Sequence, residues 1–219
     1  MKLGESCGSS RCFPRGCIVG PLVVAGVAVR RPTIEKLRDL GVRDSKQLTP
    51  AKREELYEGI MKLASKVGCL HIPPREIDVV VSTGKKLRRL NYLEAVYFAE
   101  VIDSLGASKV VVDAADVVPE RFRVDIVERL RFNCSVVSKH KADSTDPVVS
   151  AASIIAKVER DRTVEELRRL HGDFGTGYPS DEDTIDFLRD WIQRKGSKPN
   201  FTRKSWKTWH RIAQLRLQP

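Results

Sequence analysis

The chain has 219 residues, 41% of them hydrophobic and 31% charged, a balance that excludes a disordered chain. No apolar run reaches the ~20 residues of a membrane-spanning helix. Thirty-nine Lys and Arg against 29 Asp and Glu leave a formal charge of +10, which points to a polyanionic partner. Five cysteines are an odd number, which argues against a complete disulfide framework and for a reducing compartment. With no apolar leader after Met1, a cytoplasmic protein is expected.

In chain order, residues 1–17 show no apolar period and hold Cys7, Cys12 and Cys17 among Gly, Ser and Arg. Residues 17–29 read as a Val-rich strand, split at Gly20-Pro21. A short helix over 33–40 follows. Thr49-Pro50 opens a helix through 65, with Thr as N-cap and Pro at the first helical position. Residues 67–72 form a strand that Pro73-Pro74 closes. Leu90, Leu93, Tyr97, Val101 and Leu105 recur at helical spacing, which predicts a helix over 86–105 ended by Gly106. Residues 109–112 are a wholly apolar run, typical of a central strand covered on both faces. A helix over 119–130 and a strand over 134–138 follow. Asp146-Pro147 caps a long helix to about 170. A Gly-rich loop at 171–179 precedes helices over 181–195 and 204–217. Strands alternating with helices make an α/β fold.

Asp113 is the sharpest position. It ends the strand over 109–112 at its carboxyl end, where open α/β sheets place their ligands. Asp143, in His140-Lys141-Ala142-Asp143, follows the next strand. Two acids at one sheet edge suit Mg²⁺, which takes one or two carboxylates and completes its shell with water and phosphate. By residue type alone, each is more often a turn or cap residue than a metal ligand.

Several segments, taken together and in order, resemble the type 2 ribonucleases H (ribonuclease HII). They are Asp44-Ser45-Lys46-Gln47-Leu48-Thr49, Val112-Asp113-Ala114-Ala115-Asp116, His140 to Asp143, Val149 to Lys157, and Gly175-Thr176-Gly177-Tyr178-Pro179-Ser180-Asp181. The resemblance spans about residues 15–211. It implies a ribonuclease H-like fold: a mixed sheet flanked by helices, with a helical C-terminal part. It implies a single catalytic domain, with its core over about 15–180, a basic helical part over 181–219 and an anomalous segment at 1–14.

The implied activity is endonucleolytic cleavage of the RNA strand in RNA–DNA hybrids and at single ribonucleotides embedded in duplex DNA. Cleavage leaves a 3′-hydroxyl and a 5′-phosphate. The implied cofactor is Mg²⁺ or Mn²⁺ held by four carboxylates, of which Asp113 and Asp143 match the third and fourth. Arg15 and Gly16 match part of a turn that reads the ribose 2′-hydroxyl. Tyr178 matches a tyrosine that stacks on the nucleotide at the RNA–DNA junction. Lys46, with Ser45 beside it, is placed to contact phosphate. The implied role is in DNA replication and repair, and a monomer is expected.

The N-terminus departs from the family pattern. Counting back without gaps from Gly20-Pro21, the Asp-Glu-Ala-Gly-Arg-Gly block of the family falls on Arg11-Cys12-Phe13-Pro14-Arg15-Gly16. The first two metal-binding carboxylates are absent from this alignment, and Arg11 sets a cation where negative charge is wanted. Three accounts stand open. Residues 4–14 depart from the natural sequence through a slip of reading frame; Glu5 serves as a metal ligand ahead of an insertion; or the chain is a catalytically impaired nucleic-acid-binding protein on the same scaffold.

Residues 186–219 hold nine Lys and Arg against two Asp, interleaved with Trp191, Trp206 and Trp209. That pattern suits a duplex backbone, with the tryptophans packed inward. Cys7, Cys12 and Cys17 lie five apart without the CxxC pair of a zinc knuckle. A fourth zinc ligand would have to come from Cys69, His71, Cys134 or His140, all distant in sequence.

Overall fold

The structure, a computed structural model, describes residues 5–11, 16–42, 48–83 and 89–214. Five strands form one mixed sheet in the order β3-β2-β1-β4-β5. They are β1 (Glu5–Arg11), β2 (Leu22–Arg30), β3 (Lys66–Ile72), β4 (Lys109–Asp113) and β5 (Ser135–Lys139). β1 runs antiparallel to β2 and parallel to β4, and β4 runs parallel to β5. The helices are α1 (Thr33–Asp39), α2 (Pro50–Leu63), α3 (Pro74–Thr83), α4 (Arg89–Leu105), α5 (Pro119–Val127), α6 (Ala142–Thr145), α7 (Pro147–His171), α8 (Glu182–Lys195) and α9 (Thr208–Gln214). Among the described residues, no helix is long and apolar enough to cross a membrane.

The chain divides into two compact units. The first holds the sheet. Val23, Ala25, Val27 and Val29 alternate along β2 and pack with Leu37 of α1, Leu56 and Ile60 of α2, and Ala151, Ala152 and Ile155 of α7. This is the two-residue strand period meeting helical stripes. On the opposite face, Gly68 of β3 lies against Val101 and Ser104 of α4. Phe98 of α4 meets Phe122 of α5 edge-to-face, with ring centroids 5.2 Å apart.

The second unit is built around Ile18, Val19, Val164, Phe174, Leu188, Phe201 and Trp209. His171 stacks on Phe201 at 4.3 Å, and Trp191 meets Phe201 edge-on at 5.3 Å. Asp78 of α3 accepts the backbone N–H of Lys204 and of Ser205, which fixes the segment that leads into α9.

Most elements lie where their sequence signals put them. Thr49 Oγ1 accepts the N–H of Lys52 and caps α2. Asp146 Oδ1 accepts from Val148 and Val149 and caps α7. Three differences are informative. The aperiodic N-terminal segment contains β1, a central strand paired on both edges, because backbone pairing does not require apolar alternation. Pro73-Pro74 starts a helix as well as ending a strand, because the missing N–H of Pro74 costs nothing in a first turn. The strand expected from residue 17 begins only at Leu22; residues 17–20 instead bridge to Thr202 and to Gly177.

Candidate active site

Asp113 is the last residue of β4, opposite Lys139 of β5. The residue is 5% exposed, and its Oδ1 accepts the backbone N–H of Ala142 at 3.0 Å. After β5 the chain turns through Lys141, the one non-glycine residue with positive φ (54°) among those described. That left-handed turn aims the start of α6 back at β4. Asp143, 4% exposed, follows Ala142 directly. Ser144 Oγ donates to its Oδ1 at 3.4 Å. Ser150 Oγ donates to its backbone carbonyl and, at 3.0 Å, to that of Asp146, which ties α6 to α7. One backbone hydrogen bond thus ties the buried Asp113 carboxylate to the residue directly before the buried Asp143.

Burying carboxylates is costly unless they are hydrogen-bonded or coordinate a cation. Oxygen donors from two aspartates fit a hard divalent ion that keeps waters and a substrate phosphate in its shell. A divalent cation of this class therefore fits the pair, and Asp113 and Asp143 are the residues that could hold it.

The register also locates the other N-terminal candidates. Ser9 lies opposite Val112, and β1 and β4 are parallel, so Arg11 ends β1 at the Asp113 end of the sheet. Glu5 begins the same strand, about 20 Å away at 3.3 Å per residue. The backbone therefore brings Arg11, and not Glu5, towards the aspartates.

Gly16 and Tyr178 belong to the second unit. Gly16 is exposed in a turn before Cys17. The buried Cys17 thiol donates toward the carbonyls of Val19 (2.9 Å) and Gly177 (3.0 Å), and Arg160 donates to its sulfur at 3.1 Å. Cys17 is thereby engaged in packing the glycine loop. Gly177 has φ +77°, and a Cβ there would lie 3.1 Å from the Cβ of Val19. Its N–H donates to Thr184 Oγ1 at 2.9 Å, and the same hydroxyl donates to Phe174 O at 2.7 Å.

Asp181 accepts from the N–H and hydroxyl of Thr176 at 2.5 and 2.6 Å. These bonds hold its carboxyl group below the usual aspartate range. The loop so braced carries Tyr178, half-buried, with the Arg160 guanidinium 5.7 Å from its ring centroid. Gly16 and Tyr178 are thus brought close, on either side of the Cys17–Gly177 contact. Arg15, Ser45 and Lys46 lie outside the described residues.

His140 contacts the carbonyl of Val117 at 3.0 Å. Asp116 is a residue whose weight the sequence did not reveal. Its buried carboxylate accepts from Asn91 (2.8 Å), from Val118 N–H (2.8 Å) and from Arg121. Burial alone would raise its pKa. The Arg121 hydrogen bond, helped by those from Val118 and Asn91, outweighs this and lowers it from 3.8 to about 2. In the C-terminal part, Arg194, Lys195, Lys198, Lys204, Lys207 and Arg211 are exposed, while Arg203 is fully buried and reaches Pro21 O. Trp209 is buried, whereas Trp191 and Trp206 are half-buried.

Comparison with solved structures gives the fold its class. The crystal structure of the ribonuclease H2 from Pyrococcus horikoshii OT3 superposes with a TM-score of 0.87 at 39% identity, covering 98% of this chain and 100% of that one. The RNase HII in the PCNA:RNase HII complex from Archaeoglobus fulgidus superposes with a TM-score of 0.83 at 39% identity, covering 98% of each chain. The scaffold is that of a ribonuclease H. The family model described as Ribonuclease HII matches residues 14–209. The Ribonuclease HII of Thermococcus kodakarensis is 46% identical over 202 residues, 91% of this chain and 86% of that protein. The chain belongs to the ribonuclease HII family, whose members are ribonuclease H endonucleases. Arg11 and Cys12 precede the matched range.

Proposed function

We propose that this protein hydrolyses the RNA strand of RNA–DNA hybrids and cuts at single ribonucleotides embedded in duplex DNA, leaving a 3′-hydroxyl and a 5′-phosphate. The observation that carries the reading is the buried Asp113 carboxylate bonded to the Ala142 amide, directly before the buried Asp143. In this reading Asp113 and Asp143 hold Mg²⁺ or Mn²⁺, which when bound neutralises phosphate charge and lowers the pKa of the attacking water. The Ala142 N–H keeps the Asp113 carboxyl group oriented. Ser150 holds the Asp143 backbone in place, so neither acid has to be ordered when substrate arrives.

Arg15, Gly16 and Tyr178 position the ribonucleotide, since a 2′-hydroxyl is what separates RNA from DNA. Ser45 and Lys46 contact phosphate. The exposed cations between Arg194 and Arg211 follow the duplex backbone without reading its sequence. The protein acts as a monomer in the cytoplasm, in DNA replication and repair.

The test is incubation of the full chain with a duplex carrying one ribonucleotide, in Mg²⁺ and in Mn²⁺. Scission on the 5′ side of the ribonucleotide, at the bond whose cleavage leaves a 3′-hydroxyl on the upstream DNA, is expected. The position of Arg11 at the end of β1 favours a second reading, a silent binding protein. Tight binding of the duplex with no scission in either metal would decide for it.

A further inference from the structure

We propose that Cys69, His71 and Glu159 form a second metal site, for one thiophilic divalent cation of the Zn²⁺ class. The sulfur of Cys69, a ring nitrogen of His71 and a carboxylate oxygen of Glu159 lie within 4.8 Å of one another. The site is independent of the ribonuclease reading. β3 is an edge strand, separated from β4 by β2 and β1, so the cluster stands about 14 Å from the strand that carries Asp113.

The sequence builds this site by strand alternation. Cys69 and His71 are two residues apart on β3 and share a face, the one on which Val67 and Cys69 pack against the α2–α7 cluster. Glu159 reaches them from α7, and Tyr57 of α2 donates to Glu159 Oε1 at 2.8 Å. A hydrogen bond of this kind orients a ligating carboxylate. The Cys69 thiol is reduced, and His71 is exposed, which leaves an entry path and room for a water.

One thiolate, one imidazole and one carboxylate make a three-protein-ligand set for a tetrahedral ion, with water as the fourth ligand. Tetrahedral bonds of about 2.0–2.3 Å need ligand atoms roughly 3.5 Å apart. The exposed His71 and half-buried Glu159 side chains reach that with shifts of about an ångström. The sulfur selects Zn²⁺ over Mg²⁺ and Ca²⁺, which take oxygen. Binding replaces the Cys69 thiol proton, which passes to solvent, with the cation. A bound ion clamps the sheet edge to α7, the helix whose first turn holds the Asp143 backbone through Ser150.

The metal-free full chain is titrated with Co²⁺ in the presence of excess Mg²⁺. One equivalent is expected to give a sulfur-to-cobalt charge-transfer band and tetrahedral visible bands, both displaced by Zn²⁺. His71→Gln and Cys69→Ser are each expected to lower affinity at least 10-fold, and Cys69→Ser to abolish the sulfur band. Circular dichroism of each metal-free variant reports folding. His71→Gln, at an exposed position, carries the test if Cys69→Ser does not fold. The band is expected to survive in Cys134→Ser and in Asp113→Asn with Asp143→Asn. Absence of a sulfur band in the unmodified chain, or unchanged Co²⁺ affinity and spectrum in His71→Gln, overturns the proposal.

Discussion

The carboxylate of Asp113 and the backbone N–H of Ala142 are joined at 3.0 Å, and the next side chain along is Asp143. One hydrogen bond thus links the end of β4 to the start of α6, one residue ahead of the second buried acid. The bond needs an acceptor oxygen at position 113, not a charge. Asp113→Asn therefore keeps the connection while removing the anion. We expect metal-dependent scission to fall by on the order of 100-fold or more in Asp113→Asn and in Asp143→Asn, with duplex binding nearly unchanged. Cleavage assays and binding isotherms on the same duplex separate the two effects. A matched loss of binding would mean that the acids only support the fold.

Arg11 raises the opposite question. It ends β1 at the Asp113 end of the sheet, where the family resemblance puts an acid. Arg11→Asp with Cys12→Glu adds negative charge where a dication is to be held, and cations are held in proportion to that charge. Cleavage in Mn²⁺ is expected to rise by at least about 10-fold. Rates unchanged across Mg²⁺ and Mn²⁺ concentrations would show that the missing acids do not limit this chain.

Legibility from the sequence followed the range of the forces involved. Thr49, Asp146 and the apolar run of β4 were readable because caps and buried strands act over a few residues. Asp113 and Asp143 stood out individually, but what ties Asp113 to the segment of Asp143 is the Ala142 amide, which no residue type announces. β1 was hidden because Glu5–Arg11 has no apolar alternation and is placed by its neighbours β2 and β4. Glu159 was invisible as a partner of Cys69 and His71, because only the packing of α7 on the sheet brings it there. Cys17 offered a zinc pattern on paper and proves engaged with Gly177 and Arg160.

Asp116 predicts a pH dependence of stability. Its folded pKa, about 2, lies below the ordinary 3.8. A depressed carboxyl pKa contributes stability that is present above about pH 4 and is lost as the pH falls toward 2. The contribution is about 2 kcal/mol for a group this deeply buried. Asp116→Asn is expected to be destabilised by about that amount at pH 7 in urea unfolding, with the gap to the unmodified chain closing near pH 2. A gap constant from pH 7 to pH 2 would remove the charge on Asp116 as its cause.

The exposed cations of α8, α9 and the segment between them predict salt dependence. Neutralised phosphates release counterions, with a slope of about −0.9 in log affinity against log salt for each one. Engagement of four to six phosphates gives a slope of roughly −4 to −5. Lys198→Ala with Lys204→Ala is expected to reduce that slope by about 2 and to weaken binding equally for all duplex sequences. A flat salt response would assign the charge to solubility alone.

Thr184 is the hinge of the last expectation. Fully buried, its hydroxyl accepts from Gly177 N–H and donates to Phe174 O, which holds the loop before and at Tyr178. Thr184→Val keeps the shape and strands two buried backbone groups, each at about 1–3 kcal/mol. Thermal or urea unfolding should show a loss of about 2–6 kcal/mol. If Tyr178 positions the ribonucleotide, the same variant raises KM for a single-ribonucleotide duplex more than it lowers kcat, because it touches neither aspartate. A drop in kcat with KM unchanged would place the effect on the acids instead and argue against a positioning role for the glycine loop.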